Sequence, residues 1–442
     1  MEQIEGRETV NQRAANREAS AFTSELERAA FGKIASRFLP ILTVAFFLNL
    51  LDRNNIGYAA LTMNKEIALT ATQFGYGAGI FFLGYCLFEI PSNLAVYRYG
   101  ARVWIARIVI TWGVISTATI FVNGPSRFYI LRFLLGVAEA GFFPGVAYFL
   151  GRWFPAEYRA RMLAWFLLAI PGSPLIGGPI AGLLFRLDGV AELSGWKWLF
   201  IAEGIPSILV GIVVYWILRD TPAEVKWLSE QERSLVIARI LEEPREQERK
   251  KLGPALKDMR VLILSVVMLG FTIGSYAVTI WLPQMIKSSR FSNTEVGFVS
   301  AIPYFFACVG SIVWAANVDR SGKKIGNLTM ACLMATLGLV ISILSHSFVI
   351  SMIGMGVALI GITSARAIFW TIPTRFLTGM AAAGGLAFIN SIGTLGGFIG
   401  PSIMGWLKDR TGSFSAGLLA VSGFLLLATI FSISLKLFVN NE

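Results

Sequence analysis

Long apolar runs alternate with short polar links along nearly the whole chain. A helix needs about 20 residues to cross the roughly 30 Å of hydrocarbon in a bilayer, and about twelve runs reach that length. Because backbone polar groups in lipid must be satisfied within the segment, each run is expected to be helical. The pattern predicts an all-α integral membrane protein. The runs begin near Phe38, Gln73, Arg102, Arg127, Ala160, Lys197, Arg260, Thr294, Ile325, Phe348, Met380 and Ser413.

One hydrophilic stretch divides these runs into two groups of six. It contains the sequence EEPREQERKK at residues 242–251, which is too charged to enter a membrane. We therefore interpret the stretch as a linker between two six-helix bundles. The predicted organisation is a cytoplasmic N-terminal segment at 1–37, a bundle at 38–218, the cytoplasmic linker at 219–259 and a second bundle at 260–442.

The two halves also repeat each other. The link NLAVYRYGAR at residues 93–102 matches AANVDRSGKK at 315–324, an offset of roughly 220 positions. At nearly the same offset, GGPIAG at 177–182 matches IGPSIMG at 399–405. Duplication of a six-helix unit, with a binding site where the halves meet, is typical of alternating-access transporters.

Composition supports a membrane location. Hydrophobic residues make up 55% of the chain and charged residues 15%, whereas charged residues are about 25% of a typical soluble protein. The net charge of +11 comes mostly from links that we expect to face the cytoplasm and anionic lipid head groups, which argues against nucleic-acid binding. The same distribution places both termini in the cytoplasm, and no cleaved signal peptide is evident.

Residues that could carry catalysis or hold a metal are scarce. The three cysteines, Cys86, Cys308 and Cys332, lie in apolar runs without paired spacing, so no disulfide or metal site is indicated. The one histidine, His346, lies in a short link, and no nucleotide-binding motif appears. An enzyme would need a nucleophile with a base or a cluster of metal ligands. We expect no enzyme and no cofactor, and any proton chemistry must use carboxylates.

Five charged residues are expected to lie deep inside the apolar runs. They are Asp52, Arg53, Arg132, Glu139 and Arg366. Each costs at least about 2.5–3.5 kcal/mol near the bilayer centre, so each needs a partner or a substrate. The adjacent Asp52 and Arg53 must point about 100° apart on a helix, whereas Arg132 and Glu139, two turns apart, share one face. We expect these groups to meet in one water-lined chamber.

Several segments resemble a known family. The loop DRSGKK at residues 319–324 resembles the signature loop of the major facilitator superfamily, and the first-half copy has Tyr97 where an acid usually stands. Residues 51–57, 89–93, 132–145 and 195–204 resemble the anion:cation symporter family, and most closely bacterial permeases for tartrate, phthalate and hydroxyphenylacetate. The resemblance implies a twelve-helix fold of two pseudo-symmetric bundles, located in the cell inner membrane and monomeric.

The resemblance also implies roles for single residues. Asp52 and Glu139 would accept protons with Arg132 modulating them, while Arg53, Tyr85 and Asn390 would bind substrate. A structural ion pair with the fourth helix remains open for Asp52 and Arg53, as do a structural role for Glu139 and simple packing for Tyr85. The charged loop residues are expected to form a cytoplasmic latch that biases the two bundles between conformations: Asp319, Arg320, Lys323 and Lys324.

The remaining buried charges leave alternatives open. Arg366 cannot lose its proton, so it must find an anion or several carbonyl groups. Three readings stay open: a clamp on a substrate dicarboxylate together with Arg53, bonds to backbone carbonyls of the glycine-rich tenth helix, or a position nearer the cytoplasm. Structural roles are expected for Glu89, with Arg107 or Arg98 as its partner, and for Glu203, with Lys197 or Arg186 as its partner.

Together these residues predict proton-coupled uptake of a small organic anion, a carboxylate such as tartrate. An importer of hydroxyphenylacetate, phthalate or nicotinate, an anion exchanger or exporter, and a non-transporting nutrient sensor remain the alternatives.

Overall fold

Sixteen α-helices and several short 3₁₀ turns make up the described part of the chain. A computed structural model describes the backbone of residues 2–167, 169–242, 258–373, 376–377 and 379–438, and the side chains in these ranges except 2–24, 160, 164, 167, 171 and 379–383. The 3₁₀ turns are Thr119–Phe121, Phe185–Leu187, Val190–Glu192, Pro222–Glu224 and Leu435–Leu437.

The helices follow the apolar runs closely. In chain order they are α1 (Glu2–Glu66), α2 (Ala71–Tyr99), α3 (Ala101–Ala118), α4 (Pro125–Glu139), α5 (Phe142–Trp153), α6 (Ala156–Leu167), α7 (Ala169–Leu184), α8 (Gly195–Ile217), α9 (Glu230–Leu241), α10 (Met259–Lys287), α11 (Asn293–Ser321), α12 (Lys324–Leu344), α13 (Phe348–Phe369), α14 (Gly379–Thr394), α15 (Gly396–Thr411) and α16 (Ser415–Ser434).

Eleven segments in the described residues are long and apolar enough to cross a membrane. Two of them join consecutive helices, since α4 and α5 form one segment and α14 and α15 another. The helices α6 and α7 occupy the remaining apolar run, on either side of residue 168. The twelve-helix, all-α prediction is therefore confirmed. The first span begins earlier than expected, because α1 continues without interruption from the N-terminal segment into the membrane.

The second helix of each half begins in the same way. Thr70 accepts a hydrogen bond from the backbone of Gln73, whose side chain bonds back to the Thr70 backbone. Ser292 and Glu295 repeat this reciprocal pair at the start of α11. Such capping boxes satisfy two of the free N–H groups at a helix start. The local signal for the helix start is thus duplicated together with the apolar pattern.

The two halves meet backbone to backbone at one end. We call the side of the spans that holds α9 the linker face and the opposite side the far face. Toward the far face, a Cβ on Gly178 of α7 would lie 2.6 Å from the carbonyl oxygen of Gly297 of α11. Tyr58 and Ser300 share a hydrogen bond of 2.7 Å across the same boundary. Small residues permit this close approach, so the halves are sealed together at the far face.

A second contact between the halves closes the far face beside α2. The Asp409 carboxylate of α15 accepts hydrogen bonds from the backbone N–H groups of Ala71 and Thr72, at 3.1 and 2.7 Å. The free N–H groups and positive dipole end of a helix N-terminus favour a carboxylate there. Asp409 therefore ties the start of α2 in the first half to the end of α15 in the second.

The linker helix α9 is fastened to the first half. Lys33 of α1 donates to Glu232 at 2.6 Å, and Arg239 pairs with Glu27 at 3.2 Å. The hydrogen bond from Lys33, together with the Ser229 backbone, holds the pKa of Glu232 below its ordinary value. The described part of the linker therefore belongs to the first bundle and is not a free tether.

Replacing Glu232 by Gln tests this attachment. The pKa of Glu232 is lowered on folding, so the Lys33 pair stabilises α9 above the ordinary glutamate pKa of about 4.3 and loses that effect as pH falls through the folded-state value. At pH 7, amides of α9 in the variant are expected to exchange hydrogen about two- to five-fold faster than in the wild type.

The capping box tolerates Gln at this position, so the change reports on the ion pair. Glu230→Gln is the control, because the Glu230 side chain is 89% exposed in its contact with Arg233. Equal exchange in Glu232→Gln and the wild type at pH 7 would contradict the attachment.

Candidate functional site

The adjacent charges of α1 point to two different helices. The Asp52 carboxylate accepts a short hydrogen bond from the Ser116 hydroxyl of α3. Arg53 Nε donates to Oε2 of Glu139 on α4 at 2.6 Å. The divergence follows from the rotation of about 100° between neighbouring helix positions. One pair of residues in α1 thereby joins three helices of the first half.

Glu139 is the anchor of this cluster. It is the last residue of α4, and the chain turns at Gly141, whose φ of 83° suits glycine, before α5 begins. Its Oε2 accepts hydrogen bonds from Arg53 and also from Asn49 Nδ2 at 2.7 Å, whereas its buried Oε1 has no partner among the described residues. Two donors, one of them charged, make this a strong site for a carboxylate.

Arg132 lies on the same side of α4, buried and only partly satisfied. It donates to the Ala78 carbonyl oxygen at 3.4 Å, while Nε and Nη1 have no partner among the described residues. Its guanidinium lies over the Phe81 ring at 4.9 Å and within electrostatic range of Asp52 and Glu139. Arg132 therefore supplies positive charge to both carboxyl groups without a direct bond to either.

Arg53 is the charged member of the cluster that solvent reaches. Its side chain is 15% exposed, whereas that of Glu139 is fully buried. The guanidinium also lies over the rings of Tyr85 at 4.8 Å and Phe81 at 5.3 Å. Since Arg53 is partly exposed and Glu139 is not, an anion arriving from solvent would meet Arg53 before it could contact Glu139.

Arg366 lies in the second half and contacts the segment of α10 that packs against the first half. Its Nη2 donates to the Ser275 hydroxyl of α10 at 3.0 Å. The next residue of α10, Tyr276, packs its ring against Phe82 of α2 at 4.2 Å and lies within electrostatic range of Arg53. The observed partner of Arg366 is a hydroxyl, which leaves the dicarboxylate clamp with Arg53 a hypothesis.

Asn390 and Glu89 bond to each other across the two halves. Asn390 Nδ2 lies 3.2 Å from one carboxylate oxygen of Glu89 and 3.5 Å from the other. The expected partners of Glu89 were wrong, because the guanidinium of Arg107 stacks over Trp104 and that of Arg98 over Tyr99. Asn390 thus lies at the interface between the halves, where its amide donates to the carboxylate of Glu89.

The partner expected for Glu203 was also wrong. Lys197 pairs with Glu66 at 3.5 Å, while the Glu203 side chain points into the first bundle. Arg186 is exposed at the far face, and within the described residues it forms no ion pair with Glu203. The loop residues Asp319, Arg320 and Lys323 are exposed at the end of α11, and Lys324 donates to the Thr371 carbonyl oxygen at 3.5 Å.

Three polar residues of the site were missed at the sequence level. Asn49 lies four positions before Arg53, so the two share a helix face, and that spacing in an apolar run was a usable signal. Ser116 and Ser275 carried no such signal, because single serines are common in transmembrane helices. Within the described residues no group of three His, Cys, Asp or Glu side chains could hold a metal.

Comparisons with known proteins agree with this architecture. A family model described as Major Facilitator Superfamily matches residues 42–401. An Agrobacterium vitis protein named "Putative tartrate transporter" is 45% identical over 421 residues, which cover 95% of this chain and 94% of the relative. The "Quinolone resistance transporter" of Acinetobacter baumannii is 40% identical over 410 residues, covering 92% and 94%.

A solved structure shows the same fold at low identity. A bacterial homologue of the human lysosomal transporter Spinster, in an inward-facing and unoccupied conformation, gives a TM-score of 0.75. The match covers 91% of this chain and 97% of that chain at 18% sequence identity.

A double-mutant cycle tests the Arg53–Glu139 pair. Breaking one partner of a buried ion pair typically costs about 3–5 kcal/mol, because the other charge is left uncompensated. Arg53→Ala and Glu139→Ala are each expected to lower the thermal midpoint of the detergent-solubilised protein. The double variant is expected to lose less than the sum of the two, by about 0.5–3 kcal/mol.

Lys33→Ala combined with Glu139→Ala is the matched control, because Lys33 lies about 30 Å before Arg53 along α1. Those two losses are expected to add. Simple additivity of Arg53→Ala and Glu139→Ala would show that the pair contributes no coupling.

Proposed function

The chain belongs to the major facilitator superfamily, and we propose that it imports a small organic anion together with protons across the bacterial inner membrane. It is a multi-pass membrane transporter and not an enzyme. A relative named for tartrate that aligns over nearly the whole chain supports a small carboxylate as the substrate. In this proposal the linker face is cytoplasmic and the sealed far face is external.

The observation that carries the proposal is that Arg53 bonds Glu139 and is at the same time partly exposed, so that a substrate anion can compete for it. Its Nε bonds the fully buried Glu139, and its own side chain is 15% exposed. A substrate carboxylate that draws Arg53 away would leave Glu139 with Asn49 as its remaining direct donor. An ionised carboxylate in an apolar setting is costly unless paired, so Glu139 would take up a proton. Substrate binding and protonation are thereby coupled.

Further groups would hold the anion from both halves. Tyr85 lies beside Arg53 in the first half, and Asn390 and Arg366 lie in the second. Two guanidinium groups on opposite halves suit a dicarboxylate, because each can donate two parallel hydrogen bonds to one carboxylate. Binding across the interface would draw the halves together around the substrate. Asp319, Arg320, Lys323 and Lys324 would bias the halves from the cytoplasmic side.

An aromatic acid is the second candidate substrate. Phe81 and Tyr85 flank the Arg53 guanidinium, and Phe82 packs against Tyr276 close by. Rings of this kind bind another ring by offset or edge contacts while Arg53 takes its carboxylate. The same cavity could therefore accept a nicotinate-type monocarboxylate.

Uptake by purified protein in proteoliposomes tests the proposal. With an acidic exterior, radiolabelled tartrate is expected to accumulate above its external concentration, and a protonophore is expected to abolish that accumulation. Accumulation of nicotinate instead of tartrate would select the second candidate. Arg53→Ala is expected to reduce uptake at least ten-fold.

Lys436→Ala is the control, because Lys436 is a basic residue in the 3₁₀ turn Leu435–Leu437, after the last helix. This variant is expected to keep wild-type uptake. Uptake that is equal with and without a pH gradient would refute proton coupling. A substrate-dependent signal that needs no net movement of substrate would instead indicate a sensor.

A further inference from the structure

Glu203 is a buried acid for which the mechanism above has no use. It lies in α8, and its side chain is 3% exposed. One carboxylate oxygen, Oε2, is buried and has no hydrogen-bond partner among the described residues. An ionised carboxyl in such a position is costly, so we expect Glu203 to have a function.

The crossing of α3 and α8 brings Glu203 to Asp52. A Cβ on Gly204 would lie 2.7 Å from the Gly113 carbonyl oxygen, so the two helices touch at the residue beside Glu203. In the same stretch of α3, Ser116 holds the Asp52 carboxylate. The two carboxyl groups lie within electrostatic range of each other. The two carboxyl groups therefore belong to one site.

The cations around this site are already engaged. On α1, Arg53 bonds Glu139 of α4, and on α4 Arg132 reaches the Ala78 carbonyl oxygen and acts on Asp52 and Glu139. On α3, Arg107 stacks over Trp104, and on α8 itself Lys197 pairs with Glu66. The helix α7 carries no charged residue. Within the described residues, no cation bonds Glu203.

Each of the two acids has one carboxylate oxygen that lacks a hydrogen-bond donor among the described residues. Oδ2 of Asp52 is buried without a partner, as is Oε2 of Glu203. A proton on one carboxyl turns it into a donor for the other, which would satisfy both oxygens. It would also balance the charge of the cluster, because among the described residues the three carboxyl groups of Asp52, Glu139 and Glu203 accompany the two guanidinium groups of Arg53 and Arg132.

We propose that Glu203 is a third proton-coupling carboxyl, which delivers protons to Asp52 from the far face. The step moves one proton from a Glu203 oxygen to the Asp52 carboxylate, and Glu203 then regains a proton from outside. Its place suits this role, because Glu203 lies roughly 12 Å along α8 from Gly195, next to the Glu66–Lys197 pair at the far face. This inference rests on the proposed proton coupling.

Glu203→Gln keeps the shape of the side chain and removes the transferable proton. In proteoliposomes, substrate counterflow by this variant is expected to stay within about two-fold of the wild type, whereas pH-driven accumulation falls at least ten-fold and its pH profile flattens. Glu192→Gln, at an exposed acid near the same face, is the control and is expected to behave as wild type.

Infrared difference spectra of the reconstituted protein between two pH values give a readout that does not depend on transport. Glu203→Gln and Asp52→Asn are each expected to remove the same titrating carboxyl band, because the two acids titrate as a pair. A wild-type pH profile together with an unchanged band in Glu203→Gln would overturn the inference. Failure of the wild type to respond to a pH gradient would refute the proposed symport itself, and the band would still report on the carboxyl pair.

Discussion

An arginine that a buried carboxylate and an incoming anion can both bind is the interaction on which the rest of this molecule depends. Glu139 is fully buried, and among the described residues its one charged donor is Arg53, whose side chain is 15% exposed. A guanidinium cannot give up its proton, whereas a carboxylate can gain one. In the proposed exchange, an anion that binds Arg53 leaves Glu139 without its charged partner, and Glu139 takes up a proton. No step in this exchange needs a metal or a cofactor.

The helices hold this interaction at the junction of three elements of one half. Asp52 and Arg53 share α1, yet they reach α3 and α4, so a shift of α1 alters both contacts together. The second half brings hydrogen-bonding groups, Arg366 and Asn390, to the opposite side. At the far face the halves approach through glycine and through Asp409 capping α2. The charged cluster and the contacts that join the halves thus lie at different depths along the spans.

Much of this architecture could be read from the sequence. The apolar runs predicted twelve helices, and the spacing of Arg132 and Glu139 placed both on one face of α4. The divergence of Asp52 and Arg53 followed from helix geometry alone. These features depend on local periodicity, which a single sequence carries in full.

Pairing between distant helices could not be read in the same way. Glu89 was assigned to nearby arginines, but it bonds Asn390 of the other half, about 300 positions later. Glu203 was assigned to Lys197, six residues before it, yet α8 turns that side chain inward and Lys197 toward Glu66. Which charges meet depends on the crossing of helices such as α3 and α8 at glycines. That crossing is a property of packing and not of residue order.

The role of Glu139 is tested most directly by separating exchange from accumulation in Glu139→Gln. Gln keeps an oxygen that can accept hydrogen bonds from Arg53 and Asn49 but cannot take up and release a proton. Counterflow of labelled substrate is expected to continue in this variant, while accumulation driven by a pH gradient is expected to disappear. If Glu139→Gln concentrated substrate as the wild type does, the proton would not travel through this carboxylate.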